Sequence, residues 1–154
     1  MERSSSKWTV SAAMVCLLCM ALMVMSGAAF GAGGQGSPCV DNKDGTVTDN
    51  NFGLMWQKAT AGPMNWKDAK SYASGILLAG HSDWRLPTKE ELQGLYNSPC
   101  KAKMDVVNDW YWSSTPYEGY FQTNDAWGVN FSSGVLYNHD VYYFLRVRAV
   151  RSAQ

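Results

Sequence analysis

Charge is in short supply in this chain of 154 residues. Thirteen basic and thirteen acidic side chains make up 17% of it and cancel to a formal net charge of zero. A general nucleic-acid binder needs a basic excess to neutralise phosphates, so that class is excluded as a partner. Histidine is limited to His81 and His139, and there is no His-Glu-x-x-His, so the usual ligand set of a zinc hydrolase is missing. No Gly-x-Ser-x-Gly elbow, EF-hand spacing, Gly-X-Y period or heptad run occurs, and there is no repeat of about 20 residues or more. No cysteine follows Cys100. What remains is 46% hydrophobic and 13% aromatic, a globular composition whose length suits one domain with an appended segment.

The most informative absence is local. Residues 8–40 contain no Asp, Glu, Lys or Arg, and the run Val10 to Met25 is strongly apolar. Arg3 and Lys7 precede it, and the small residues Ser26, Gly27, Ala28 and Ala29 follow. A basic start, an apolar middle and a small-residue end describe a secretory signal peptide over residues 1–31, cut between Ala29 and Gly33. Trp8 to Phe30 is also 23 uncharged residues, long enough for a retained anchor. The membrane would then be met only through this segment. Cys16 and Cys19 lie inside the run and would leave with it or sit in lipid. Val15, Leu18 and Pro38 precede the first three cysteines, which does not fit a lipidation site. Residues 32–40 read as a flexible linker. The expected location is therefore the periplasm, the cell surface or the medium. Loss of Glu2, Arg3 and Lys7 would leave a formal charge of −1.

Two cysteines then remain, Cys39 and Cys100. In an oxidising compartment an even pair favours a disulfide, and two thiolates alone cannot fill a tetrahedral zinc site. Cys39, next to the linker, would also be free to pair between chains.

Along the rest of the chain, Asp41 to Gly45 is a turn cluster, and residues 46–48 and 53–57 make a β-hairpin that points Trp56 inward. Asn65, with Asp68 three residues on, caps a helix whose apolar face is Trp66, Ala69, Tyr72, Ala73 and Ile76, with an exit at Gly80. Thr88 and Glu91 form a full capping box for a second helix that begins at Lys89, buries Leu92, Leu95 and Tyr96, and stops before Pro99. Residues 110–144 hold 12 aromatics, with strands at 111–114, 127–131 and 135–137 and a turn at 132–134. Residues 144–149 alternate, with Leu145, Val147 and Ala149 on one face and Arg146 and Arg148 on the wet one. Two central helices with hairpins at both ends make an α+β domain over 41–151. Trp56, Trp66, Tyr72, Trp84, Leu86, Leu92, Trp112, Trp127, Phe131 and Val147 are expected in one buried cluster.

Six motifs occur in order: Asp-Asn-Lys-Asp-Gly-Thr-Val-Thr-Asp-Asn at 41–50, Gly-Leu-Met-Trp-Gln at 53–57, and Trp66 with Ala69 and Tyr72. Ser-Asp-Trp-Arg-Leu-Pro-Thr at 82–88 with Glu91 and Leu92, Tyr-Trp-Ser-Ser-Thr at 111–115 and Val-Arg-Ala-Val-Arg at 147–151 complete the set. Together they resemble the C-terminal domain family of the Legionella collagen-like (Lcl) adhesin, long a domain of unknown function. The resemblance implies a compact fold similar to C-type lectin-like and formylglycine-generating-enzyme-like domains. It also implies bacterial export; it does not imply an enzyme activity. The best-known member resembles a glycan-binding adhesin but carries a collagen-like stalk that this chain lacks. Many relatives have cysteines where this chain has Ala73 and Ala149, and the joint loss implies that those cysteines pair.

Chemical candidates are few. His139-Asp140 with Ser113, Ser114, Ser132 or Ser133 makes a poor triad, because adjacent strand residues face opposite ways, and His139 reads as a surface-loop residue. Formylglycine-type chemistry needs C-terminal cysteines that are absent. The Glu-Pro-Asn and Gln-Pro-Asp segments of sugar-binding lectins are absent too. Asp41, Asp44 and Asp49 offer calcium oxygens but read as turn chemistry, so no metal or cofactor is expected. Arg85 is expected to hold a carboxylate bidentately, with Asp83 and Glu91 also structural. Anionic glycans are disfavoured unless Arg146, Arg148 and Arg151 cluster. The binding candidates are Tyr117, Tyr120, Phe121, Asn124, Asp125 and Trp127, large rings beside hydrogen-bonding groups in a loop. The function expected is a non-catalytic, adhesion-type binding domain for a glycan or an envelope protein. The alternatives are a homo-oligomerising structural domain and an envelope enzyme with an unrecognised site.

Overall fold

The fold comes from a computed structural model that describes residues 37–119 and 124–154. The expected signal segment, with Cys16 and Cys19, and the loop residues Tyr120 and Phe121 lie outside the described residues. Among the described residues no helix is long and apolar enough to cross a membrane.

Nine strands and two α-helices follow in the order β1 (Cys39–Asp41), β2 (Thr46–Asp49), β3 (Leu54–Gln57), β4 (Ala61–Met64), α1 (Trp66–Gly75), α2 (Lys89–Asn97), a 3-10 turn (Pro99–Lys103), β5 (Trp110–Pro116), β6 (Asp125–Asn130), β7 (Leu136–Asp140), β8 (Leu145–Val147) and β9 (Val150–Ser152). They build a four-stranded sheet, β1-β2-β3-β9, and a five-stranded sheet, β4-β8-β5-β6-β7. The class is α+β. All pairings are antiparallel except β5 with β8, where Tyr111 meets Arg146 in parallel. β1 draws Cys39 and Val40 into a sheet from the stretch read as linker, and Cys39 is joined to Cys100 by a disulfide with Cα atoms 5.2 Å apart. Closing a loop of that length restricts the unfolded chain and contributes about 4 kcal/mol on chain-entropy grounds.

The helix starts follow local chemistry. Asn65 Oδ1 accepts the Asp68 amide at 2.9 Å. Thr88 Oγ1 accepts the Glu91 amide at 3.2 Å while Glu91 Oε2 accepts the Thr88 amide at 2.8 Å, a complete capping box. The same carboxylate takes both guanidinium nitrogens of Arg85 at 2.7 and 2.6 Å. The end of α1 differs from expectation. It stops at Gly75, with Ile76 extended, and Gly80 serves elsewhere. Ala79 and Gly80, at φ 54° and 78°, form the tight turn that bridges Leu78 to His81. Positive φ at both central residues is the type I′ signature, and it needs a glycine more than a helix exit does.

The buried residues form two clusters where one was expected. One gathers Trp56, Leu92, Leu95, Tyr111, Val129 and Phe131 around the disulfide. The other gathers Ala69, Ala73, Trp84, Leu86, Trp112 and Val147. The divide is the five-stranded sheet, since neighbours such as Tyr111 and Trp112 must point to opposite faces. Trp66, Tyr72 and Trp127 are only half-buried, each at a margin. Trp66 donates Nε1–H to the Ser113 carbonyl at 2.7 Å, and the Tyr72 hydroxyl accepts from Gln57 at 2.6 Å. Ala73 and Ala149 are both fully buried in the second cluster.

The closing segment also departs from simple alternation. It splits into β8 and β9, which belong to different sheets, with Phe144 outside β8 and exposed. Arg148, expected on the wet face, is fully buried. Its Nη1 donates to the carbonyls of Gln57 and Lys58, and its Nη2 to Thr60 Oγ1 at 2.7 Å and the Asp105 carbonyl at 2.9 Å. Burial pushes this guanidinium's pKa down, with Tyr111 opposing. These acceptors tie β3, β4 and the segment before β5 to the end of the fold.

Candidate binding surface

β7 is an outer strand of the five-stranded sheet. Cross-strand pairs share a face, and the register sets Trp112 beside Gly128, Gly128 beside Tyr137, and Ala126 beside His139. α1 covers the Trp112 and Ala126 end of this face, and its margin carries Trp110, His139 and Tyr137. The His139 ring lies 4.6 Å from Trp110, 5.3 Å from Tyr137, 6.0 Å from Trp112 and 6.2 Å from Tyr143, edge-on in each case. Gly128 makes the room. A Cβ there would stand 3.2 Å from His139 Cδ2 and 3.3 Å from the Tyr111 carbonyl oxygen.

His139 is thus a half-buried strand residue rather than part of a surface loop. Burial pushes its pKa down, partly opposed by the charge of Asp125. Its Nε2 is buried and has no hydrogen-bond partner among the described residues. None of the four serines is bonded to it. Ser113 donates to the Trp127 carbonyl at 2.6 Å, Ser132 to Asn130, and Ser133 Oγ accepts from Val135 at 3.4 Å. The Ser114 amide donates to Pro87 at 2.7 Å. His81 sits in the type I′ turn, and its carbonyl accepts from Trp84 Nε1 at 3.1 Å. Among the described residues neither histidine side chain is hydrogen-bonded to a serine.

Beyond β7 the chain makes a turn. Asp140 Oδ1 accepts the Tyr142 amide at 2.9 Å, and the Asp140 carbonyl accepts the Tyr143 amide at 2.9 Å. Val141 anchors the turn, donating to Asn124 at 2.8 Å and accepting from the Trp66 amide at 3.0 Å. Three consecutive rings then face solvent: Tyr142 at 73% exposure, Tyr143 at 62% and Phe144 at 66%. Leu145 returns to the core. With Asp140 the three line an open cleft of about 550 Å³, and Tyr137, 58% exposed, stands on β7 nearby. Sequence reading missed this surface. Its signal was an unbroken aromatic triplet, which no alternating strand buries on one face.

The loop candidates are only partly placed. Tyr117 and Trp127 meet with centroids 5.2 Å apart, and with Lys89, Thr115, Pro116 and Glu118 they line a cleft of about 330 Å³. Lys89 Nζ stands 4.8 Å above the Trp127 ring. Asn124 is exposed, while the Asp125 carboxylate accepts from Asn138 at 2.6 Å.

The three candidate calcium ligands hold protein groups instead. Asp41 takes Lys58 at 2.9 Å and Lys43 at 3.0 Å, which hold its carboxyl well below the usual range. Asp44 accepts the Thr46 hydroxyl at 2.6 Å, and Asp49 the Ser98 hydroxyl at 2.6 Å. Among the described residues no three His, Cys, Asp or Glu side chains group to hold a metal. The arginines do not form an anion site either. Arg146 pairs with Asp109 at 3.1 Å, Arg151 with Asp83 at 2.7 Å, and Arg148 is enclosed.

A family model, that of the Lcl C-terminal domain, matches residues 45–151, from the first hairpin to β9. The chain belongs to the Lcl C-terminal domain family. A search of curated proteins returned no match. The function of Lcl C-terminal domains is largely unknown.

Proposed function

We propose that this Lcl C-terminal domain is a non-catalytic, adhesion-type binding domain of an exported bacterial protein. The ligand, a glycan or an envelope protein, is proposed to dock on the aromatic turn. The observation carrying this reading is the triplet Tyr142, Tyr143 and Phe144, each more than half exposed beside a carboxylate. Large rings left in water together are the material of a contact surface. Export is supported by the basic, apolar and small-residue order of the first 31 residues. We extend the fold reading to C-type lectin-like and formylglycine-generating-enzyme-like domains, the latter sharing the Trp-Arg-Leu-Pro-Thr segment before α2. The test is a glycan-array and envelope-lysate capture with the full chain and its Y142A/Y143A/F144A variant. The variant should keep its melting temperature and lose capture. Capture equal to the parent would overturn the assignment of this surface.

A second reading places the ligand in the Tyr117–Trp127 cleft, with Asn124 and Asp125 at its edge. Lys89 above the Trp127 ring favours it. W127A in the same capture assay separates the two surfaces.

A further inference from the structure

We propose that the cleft at the aromatic turn seats a small soluble cation shielded by alkyl groups, a quaternary ammonium compound of the choline type. The proposal goes beyond the binding reading above: it rests on the same surface and gives it a small ligand besides the macromolecular one. Among the described residues the cleft is lined by three aromatic side chains and one carboxylate, with no lysine or arginine. Asp41, Asp83, Glu91 and Asp109 each hold a lysine or arginine of this chain, whereas Asp140 makes no ion pair within the described residues. One Asp140 oxygen fixes the turn by accepting the Tyr142 amide at 2.9 Å. No lysine or arginine among the described residues answers its charge.

Ring faces carry negative potential and attract cations, best when the cation sheds little hydration on entry. A methylated ammonium meets that condition and presents alkyl surface to the rings. Rings and carboxylate therefore pull the same way. An anionic ligand would be repelled by Asp140, and a neutral sugar would gain the ring contact but nothing from the charge. His139, edge-on to Tyr143, is kept neutral by burial and opposes no cation. A volume of about 550 Å³ has room for a small molecule against the rings.

The experiment titrates the full chain with choline, with its uncharged isostere 3,3-dimethylbutan-1-ol, and with methyl glucoside, followed by NMR and calorimetry. Choline should bind, and the other two should not bind at the same concentrations. D140N should weaken choline about tenfold, a loss of about 1.4 kcal/mol, and Y143A should weaken it as well, both at unchanged melting temperature. Equal binding of the isostere, preference for the glucoside, or no response to choline would each overturn the proposal. Binding to phosphatidylcholine vesicles without binding free choline would also overturn it, assigning the patch to a lipid surface. If choline fails while the triple variant still loses capture of its macromolecular ligand, this inference falls and the binding reading stands.

Discussion

Trp110-Tyr111-Trp112 and Tyr142-Tyr143-Phe144 are both unbroken aromatic triplets, and the fold treats them oppositely. The first lies on β5, which has β8 on one side and β6 on the other. Tyr111 enters one core and Trp112 the other, and Trp110 caps the margin beside His139. Every polar handle of the two buried rings is used. The Tyr111 hydroxyl meets Thr60 at 2.8 Å and accepts the Val107 amide at 3.0 Å, and Trp112 donates to the Met64 carbonyl at 2.9 Å. The second triplet follows the outer strand β7, with no element laid over it among the described residues, and it stays in water. Both are wholly aromatic; position in the sheet order decides whether rings hold the fold or stay in water.

The sharpest way to break this contrast is Trp112→Ala. Removing a fully buried indole between α1 and β8 should cost about 3–5 kcal/mol, read by denaturant unfolding. A variant with the parent's midpoint would show that β5 is not the spine of the second cluster. Tyr111→Phe is a finer probe. It keeps the ring and strands the Val107 amide, while Thr60 keeps Asp105 and Arg148 as partners, so it should cost about 1–3 kcal/mol. A neutral result would mean that water answers the amide.

His139 marks the boundary between the two triplets and gives a pH test. Its folded pKa lies below the ordinary 6.5, so the unfolded chain takes up its proton first as pH falls. The stability tied to the neutral ring is therefore complete above about pH 6.5 and declines below it until the folded protein protonates too. The melting temperature of the parent should fall between about pH 7.5 and pH 5 more than that of His139→Leu. Equal slopes would place the acid sensitivity elsewhere. The smallest effects belong to the exposed triplet. Tyr142→Ala, Tyr143→Ala and Phe144→Ala should each change stability within about 0.5 kcal/mol. A larger loss at any of them would make it a core ring after all.

Local chemistry made much of the fold legible. Thr88 and Glu91 announce α2 because a capping box needs only four residues, and the hairpin 46–57 is written in its turn. Contacts across long separations were not legible. β4 contains Gly62 and Pro63, which argue against a strand, and it exists because β8 pairs with it. Arg148 sits on the polar beat of the alternation, but the carbonyls that solvate it belong to Gln57, Lys58 and Asp105. The site divides likewise. An aromatic excess in residues 110–144 is plain from the sequence, whereas which rings stay wet depends on β7 being outermost, a fact of sheet order.

The splitting of the closing segment has a consequence for how the protein is made. β3 waits for β9 to cover its free edge, with Trp56 opposite Val150, and Arg85 bridges to the same Val150. Arg148 draws in the loops after β3 and before β5 from the same short stretch. A nascent chain that has emerged as far as β7 therefore holds its first hairpin with an open edge, and the acceptors on Gln57, Lys58, Thr60 and Asp105 lack the guanidinium that gathers them. Such a chain stays unlocked until residues 148–152 have been made, and these act as the latch that closes it.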